Sequence, residues 1–216
     1  MTASTRLPST SAIADVQALR GGAGWLTPPL QPVAPAAQSI AGRAVTVQIE
    51  HRAQGPDFSP MYEVLSTDHS GAVLVIAGAT AIPGAIWGEI LSVAATGAGF
   101  VGVALDGTAR DVSTLQDGPL SVYATNTAIA GPQGTAHVAA VGVPVTIGGV
   151  QINDGDLVVI DDGGCVCVPA ADADSVVADA LGYEDAEGEV LRALAAGEPL
   201  TSAYRHKSAF VARLRR

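Results

Sequence analysis

Two uninterrupted apolar runs, AVLVIAG (72–78) and FVGVALDG (100–107), are separated by one helix-sized stretch that contains GEILSVAAT. Apolar residues on both faces of a strand mean that both faces are covered, the condition of a parallel strand inside an α/β sheet. Strand, helix, strand in this order predicts a right-handed parallel crossover. Residues just past the carboxyl ends of such strands form the usual ligand crevice.

The flanking sequence adds a helix before this unit and a β-rich layer after it. STSAIADVQALR (9–20) predicts a first helix, capped by Ser9, Thr10 or Ser11 and stopped at Gly21-Gly22. A Pro-rich crossing at 27–35 leads to an alternating strand at 44–50, a polar loop at 51–60 and a short helix, MYEVLST, at 61–67. Beyond the second apolar run, an Asp106-Gly107 turn and another strand, LSVYAT (120–125), are expected. The stretch that follows breaks at Gly-Gly, NDGD and DDGG into short strands of antiparallel character. AADADSVVADALGYEDAEGEVLRALAAGE closes the chain as one or two helices. At 216 residues this makes a single domain over 1–216: helical segment about 9–20, core about 44–169, carboxy-terminal helices about 170–216.

Composition excludes several classes. Apolar residues make up 48% and charged ones 15%, which speaks against disorder and for some surface covered by other subunits. The net charge of −10 leaves no basic stripe for phosphates, so nucleic acid is not an expected partner. The one basic cluster is the tail: Arg205, His206, Lys207, Arg213, Arg215 and Arg216. Cys165 and Cys167 share a strand face without being able to bridge, so they read as core in a reducing compartment. No basic patch leads into an apolar stretch at the amino terminus, and the uncharged region 118–153 is broken by Pro and Gly. A cytoplasmic protein without a membrane helix is expected.

The central unit carries the chemistry. Glu89 is followed by twenty residues and then Arg110-Asp111. The intervening helix starts at Pro83 or at Gly88-Glu89. The second start leaves the N–H groups of Ile90 and Leu91 unpaired at a helix amino terminus, where a carboxylate or phosphate oxygen fits. Arg110 could complete that anion site with a bidentate fork. Asp111 is a hard oxygen ligand and Glu89 could hold metal-bound water, a donor set suited to Mg²⁺ or Mn²⁺ over zinc. An ordinary reading stands beside this one: Arg-Asp after a strand caps a helix, and Glu at a helix start complements the macrodipole.

Other chemistries lack residues. Lys207 is the sole lysine and sits in a tail expected to be exposed, which argues against a Schiff base. There is no G-x-S-x-G, P-loop or H-E-x-x-H. His51, His69, His137 and His206 are scattered, with His51 and His137 the two that could line a pocket. Asp154-Gly155-Asp156 and Asp161-Asp162-Gly163-Gly164 read as turns.

Gly88-Glu89, the twenty-residue spacing, Arg110-Asp111 and the following PVTIGGVQINDGDLVVIDDGGCVCVP together resemble the RraA-like family, over about 9–197. This family holds the regulator of ribonuclease E activity A and the class II 4-hydroxy-4-methyl-2-oxoglutarate / 4-carboxy-4-hydroxy-2-oxoadipate aldolases. The resemblance implies an α/β/β sandwich assembled as trimers or hexamers, with active sites between subunits. It implies a lyase that cleaves a 2-oxo acid to pyruvate, or decarboxylates oxaloacetate, with Mg²⁺ or Mn²⁺. Carried over, Asp111 ligates the metal, Glu89 binds it through water, and Arg110 holds the substrate with the amides of Ile90 and Leu91 beside Gly88. Glu187 of a neighbouring subunit is the expected third acid, with Glu184 and Glu189 as alternatives.

The chain departs from the family pattern in places. Ala77 stands in an acidic place, Pro83 interrupts IAGATAIPGAIWGE, and ATNTAIAGPQGT lacks an arginine. The metal-carbonyl core is retained while the substrate-selecting rim is altered, toward a less anionic or more apolar substrate. Two other functions remain open: a non-enzymatic interaction protein that modulates an RNase, and a lyase or hydrolase acting on another carbonyl substrate.

Overall fold

The computed structural model describes residues 6–34 and 39–215, so Arg216 and Pro35 lie outside the described residues. The fold is mixed α/β, built on one long strand. β1 (Gln31–Ala34) and β2 (Ile40–His51) lead to α2 (Ser59–Val64), after α1 (Thr10–Leu19) has opened the chain. β3 (Val73–Ala77), α3 (Glu89–Gly97) and β4 (Gly102–Ala109) make the central unit; α4 (Val112–Gln116) and β5 (Ser121–Thr127) follow. Then come β6 (Ala136–Val141), β7 (Val145–Ile147), β8 (Val150–Ile152), β9 (Leu157–Asp161) and β10 (Gly164–Val168). Helices α5 (Ala173–Ala195), α6 (Leu200–Ala203) and α7 (Arg205–Leu214) close the described chain.

The main sheet runs β1-β5-β4-β3-β2-β9-β10, with β6 also paired to β2. β2, β3, β4 and β5 are mutually parallel, as the apolar runs require. The twelve residues of β2 serve three partners in succession. Its first part pairs with β9, its middle with β3 and its end with β6. One strand therefore belongs to the parallel core and to the antiparallel layer at once, giving the α/β/β sandwich.

Alternation in β3 divides the core. Leu74 and Ile76 pack with α2, α3 and α4 residues such as Met61, Ala95 and Leu115. Val73, Val75 and Ala77 face the other way, against Val145, Ile147, Ile152, Cys165 and Cys167. Both cysteines are buried and free. A third cluster joins α1 to α5 and β10 through Ile13, Val16, Val166 and Tyr183.

Local chemistry explains most boundaries. Ser9 accepts the Ala12 N–H at 3.2 Å and so caps α1. The expected 51–60 loop ends early, because Pro60 occupies the first turn of α2, a position where its missing N–H costs nothing. The expected turn at Asp106-Gly107 does not form. β4 runs on to Ala109 through an irregularity between Leu105 and Thr108. Asp106 is consumed there, accepting from Gly78 N–H at 3.2 Å and from Thr125 Oγ1 at 3.3 Å. Asp156, read as a turn residue, is buried and accepts from Asn153 and from Ala170 N–H.

The basic tail also differs from expectation. Lys207 is not exposed: its side chain keeps 14% of its accessibility, and its Nζ lies 2.6 Å from Glu187 and 4.4 Å from the Tyr183 ring centroid. Tyr183 in turn donates to Asp15 at 2.6 Å, tying α7 and α5 to α1. Burial works against the charged ammonium, but Glu187 and Tyr183 outweigh it and push Lys207 above its ordinary value. Burial, and then the bond to Asp15, pushes the Tyr183 hydroxyl up as well. Both groups hold their protons more tightly folded than unfolded. Their contribution is intact below about pH 10 and is lost as pH climbs through the folded values. Urea midpoints followed from pH 8 to 11 should therefore fall more steeply for the native chain than for Lys207→Met; parallel curves would contradict this.

Candidate functional site

The helix of the central unit starts at Glu89, with Gly88 as its cap, so the second of the two expected starts holds and Pro83 stays in the loop before it. The approach to that start is fixed by backbone bonds to the end of β4. Ile86 N–H donates to Thr108 O at 3.0 Å, and Arg110 N–H donates to Trp87 O at 2.9 Å. Trp87 is buried, and its indole N–H donates to Ser92 Oγ at 2.8 Å, which pins the first turn of α3 to the strand below. The amino terminus of α3 is thus held beside the carboxyl end of β4, in the crevice that the strand order requires.

Asp111 closes the arrangement. It takes the left-handed conformation (φ 58°) ahead of α4, and its side chain makes no cap bond to its own helix. Its Oδ2 instead accepts the Glu89 N–H, the first free donor of α3, at 3.1 Å. The ordinary reading of Arg-Asp as a local capping pair is therefore incorrect in detail: Asp111 caps a different helix across the crevice. Ile90 and Leu91 N–H, the next two donors, gain no partner from helix geometry.

Arg110 extends the other way. Its Nε stays 3.6 Å from Asp111 Oδ2, and a Cβ placed on Gly131 would come within 3.2 Å of Nη1. The guanidinium is therefore laid along the 128–134 loop, at 42% accessibility. Gly88 leaves room for both groups: a Cβ there would sit 2.6 Å from Asp111 Oδ2 and 3.1 Å from Arg110 Cγ. Gly84, with φ +95°, keeps the neighbouring loops together, since a Cβ would meet Gly131 O at 2.2 Å.

A cleft of about 370 Å³ opens over this corner. Gly88, Glu89, Ile90, Leu91 and Arg110 all line it, while Asp111 stands behind its Gly88–Glu89 edge. Glu187 is not among its lining residues; it is held by Lys207, as Glu184 is by Arg6 and Glu189 by Arg192. His137 is not there either, its Nδ1 accepting from Asp57 N–H at 3.0 Å. His51 lies on β2 outside the cleft.

Among the described residues no three His, Cys, Asp or Glu side chains gather to hold a metal ion. The donor set still fits a magnesium-type ion, which keeps several waters and needs one or two carboxylates. Asp111 and Glu89 supply two accessible carboxylates, the residues being linked by the bond from the Glu89 backbone N–H to Asp111 Oδ2.

The rest of the cleft escaped the sequence reading. Phe58 and Tyr62, at i and i+4 on either side of the start of α2, form an edge-to-face pair with centroids 5.7 Å apart. With Pro56, Pro132 and Ala136 they build an apolar wall. The available signal was two aromatics four apart in a chain only 4% aromatic.

Comparison with known proteins gives these features a setting. The RraA-like family model (Aldolase/RraA) matches residues 10–167. DlpA of Legionella pneumophila is 26% identical over 165 residues, 76% of this chain but only 27% of that protein's length. A candidate 4-hydroxy-4-methyl-2-oxoglutarate aldolase of Dechloromonas aromatica is 34% identical over 58% of this chain and 74% of its own. Among solved structures, a Pseudomonas syringae protein superposes with a TM-score of 0.81 at 28% identity, over 92% of this chain and 89% of that one. RraAS2 of Streptomyces coelicolor, described as an unusual member of the RNase ES inhibitor RraA protein family, gives 0.73 at 28% identity, covering 85% and 91%. With the family model spanning most of its length, the chain belongs to the RraA-like (Aldolase/RraA) family.

Proposed function

We propose that the chain is a divalent-metal-dependent carbon–carbon lyase that cleaves a 2-oxo acid to release pyruvate. The observation that carries this reading is the meeting of Arg110 and the amino terminus of α3 in one cleft, with Asp111 bonded to that terminus directly behind its Gly88–Glu89 edge. The aldolase name of the Dechloromonas relative supports the reaction class. Catalytic roles fall to Arg110, Glu89 and Asp111, substrate binding to Arg110 and the backbone of Gly88, Ile90 and Leu91.

The chemistry follows from where charge develops. The substrate carboxylate and 2-oxo oxygen are met by the Arg110 fork and by the N–H groups of Ile90 and Leu91, donors fixed before substrate arrives. The C4 hydroxyl proton passes to a water oriented by Glu89 at the mouth, the C3–C4 bond breaks, and its electrons move into the enolate of pyruvate. Arg110 and the helix terminus stabilise that oxyanion, and protonation at C3 completes pyruvate. Mg²⁺ or Mn²⁺, held by Asp111 and by Glu89 through water, supplies Lewis-acid polarisation of the carbonyl when bound.

The family assembly, a trimer or hexamer, is part of the proposal. Val93 projects from α3 at 68% accessibility, open to a neighbouring subunit. Glu187 of a neighbouring subunit could join the metal only after leaving Lys207. A second reading, an RNase-modulating interaction protein, is favoured by the description of the Streptomyces relative.

Pyruvate release from oxaloacetate and from 4-hydroxy-4-methyl-2-oxoglutarate, measured with Mg²⁺, decides between the two. Turnover should vanish with a chelator and return with Mg²⁺ or Mn²⁺, and Arg110→Ala should lower kcat/KM about a hundredfold. Asp111→Asn keeps a bond acceptor for Glu89 N–H and tolerates φ > 0, so it should retain thermal stability while losing turnover; Asp111→Ala should lose both, by about 1 kcal/mol in stability. Gly88→Ala forces Asp111 and Arg110 apart and should lower kcat about a hundredfold. Undiminished turnover in Arg110→Ala and Asp111→Ala would refute the enzymatic reading.

A further inference from the structure

We infer that the preferred substrate is a monoanionic 2-oxo acid whose other end is a ring-sized apolar group, not a second carboxylate; this rests on the lyase reading of the same cleft. Among the described residues lining the cleft, Arg110 is the one cation and Glu89 the one anion. Arg110, with the α3 terminus, is spent on the 2-oxo acid end that every such substrate shares. Among the described residues of this chain no second cation lines the cleft to receive a distal carboxylate.

What the wall offers instead is apolar. Phe58 and Tyr62 present an edge-to-face pair, and Ile90 and Pro132 continue the surface. A charged group set against these side chains would give up part of its hydration without gaining a charged partner. An aryl or branched alkyl group gains by burial and by ring–ring contact. The volume, about 370 Å³, is at the small end of ligand pockets, enough for one ring beyond the 2-oxo acid. Tyr62 keeps 57% accessibility, so the wall has room for a partner ring.

The reaction on such a substrate is balanced. In 4-hydroxy-2-oxo-4-phenylbutanoate, loss of the C4 hydroxyl proton and cleavage of C3–C4 give benzaldehyde and the pyruvate enolate, which takes a proton at C3.

Two measurements on the full chain with Mg²⁺ test this. Calorimetry should find phenylpyruvate bound about tenfold more tightly than pyruvate, and steady-state assays should give a similar preference in kcat/KM for 4-hydroxy-2-oxo-4-phenylbutanoate over 4-hydroxy-4-methyl-2-oxoglutarate. Tyr62→Ala should shrink that preference, and Tyr62→Arg should reverse it toward the dicarboxylate. Phe58→Ala should act like Tyr62→Ala, but Phe58 also packs on the core, so Tyr62 is the cleaner probe. Arg110-dependent turnover that favours the dicarboxylate, with the ratio unmoved in both Tyr62 variants, overturns this inference and leaves the lyase reading standing. Absence of turnover on every substrate, with neither 2-oxo acid bound, overturns both.

Discussion

A single bond, from Glu89 N–H to Asp111 Oδ2 across the crevice, is the constraint on which the site depends. A helix amino terminus left open to water would carry three or four unpaired donors and a partial positive charge. Closing one donor with a carboxylate from the far side fixes how α3 meets β4, and leaves the next two donors turned to the cleft. The same carboxylate forces two further choices. Asp111 must adopt φ 58° to reach, a conformation Asp tolerates better than most residues, and Gly88 must lack a side chain. Sequence neighbours Arg110 and Asp111 thus face different tasks because the backbone between them bends sharply.

Behind that bond stands the strand architecture. β2 spans both layers, and its pairing with β3 sets the level at which the parallel strands end. The irregularity in β4 at 105–108 then carries the chain beyond β3 to Ala109, lifting Arg110 to the rim. Asp106 holds this extension from both sides, through Gly78 and Thr125. The rim is therefore supported by ladder bonds and not by a free loop, as pre-organised donors require.

The parallel core was legible because burial on both faces leaves a direct trace in sequence, two runs with no polar residue before Asp106. The helix start was legible only as a choice between Pro83 and Gly88-Glu89; the backbone bonds that tie residues 86–87 to the end of β4 select the second. Asp106-Gly107 misled because a turn pair and a bulge pair have the same composition; only the partners at Gly78 and Thr125 distinguish them. Lys207 misled for a related reason. A lysine beside Arg, His and a chain end reads as solvated, yet its pairing with Glu187 and Tyr183 arises from residues twenty and more positions away. The aromatic wall left only the spacing of two aromatics four apart, because Phe58 and Tyr62 acquire meaning only once they line the same cleft as the α3 terminus.

A chain of net charge −10 that collects an anion must do so against its own field. Long-range steering works in the wrong direction here, so attraction has to come from short distances and low polarisability. Both conditions are met at one place. Arg110 and the α3 donors lie at one cleft, where apolar side chains make up most of the remaining wall and strengthen charge interactions at close range. On the proposed reading the apolar wall does two things with the same atoms: it selects the distal group, and it strengthens the grip on the 2-oxo acid end.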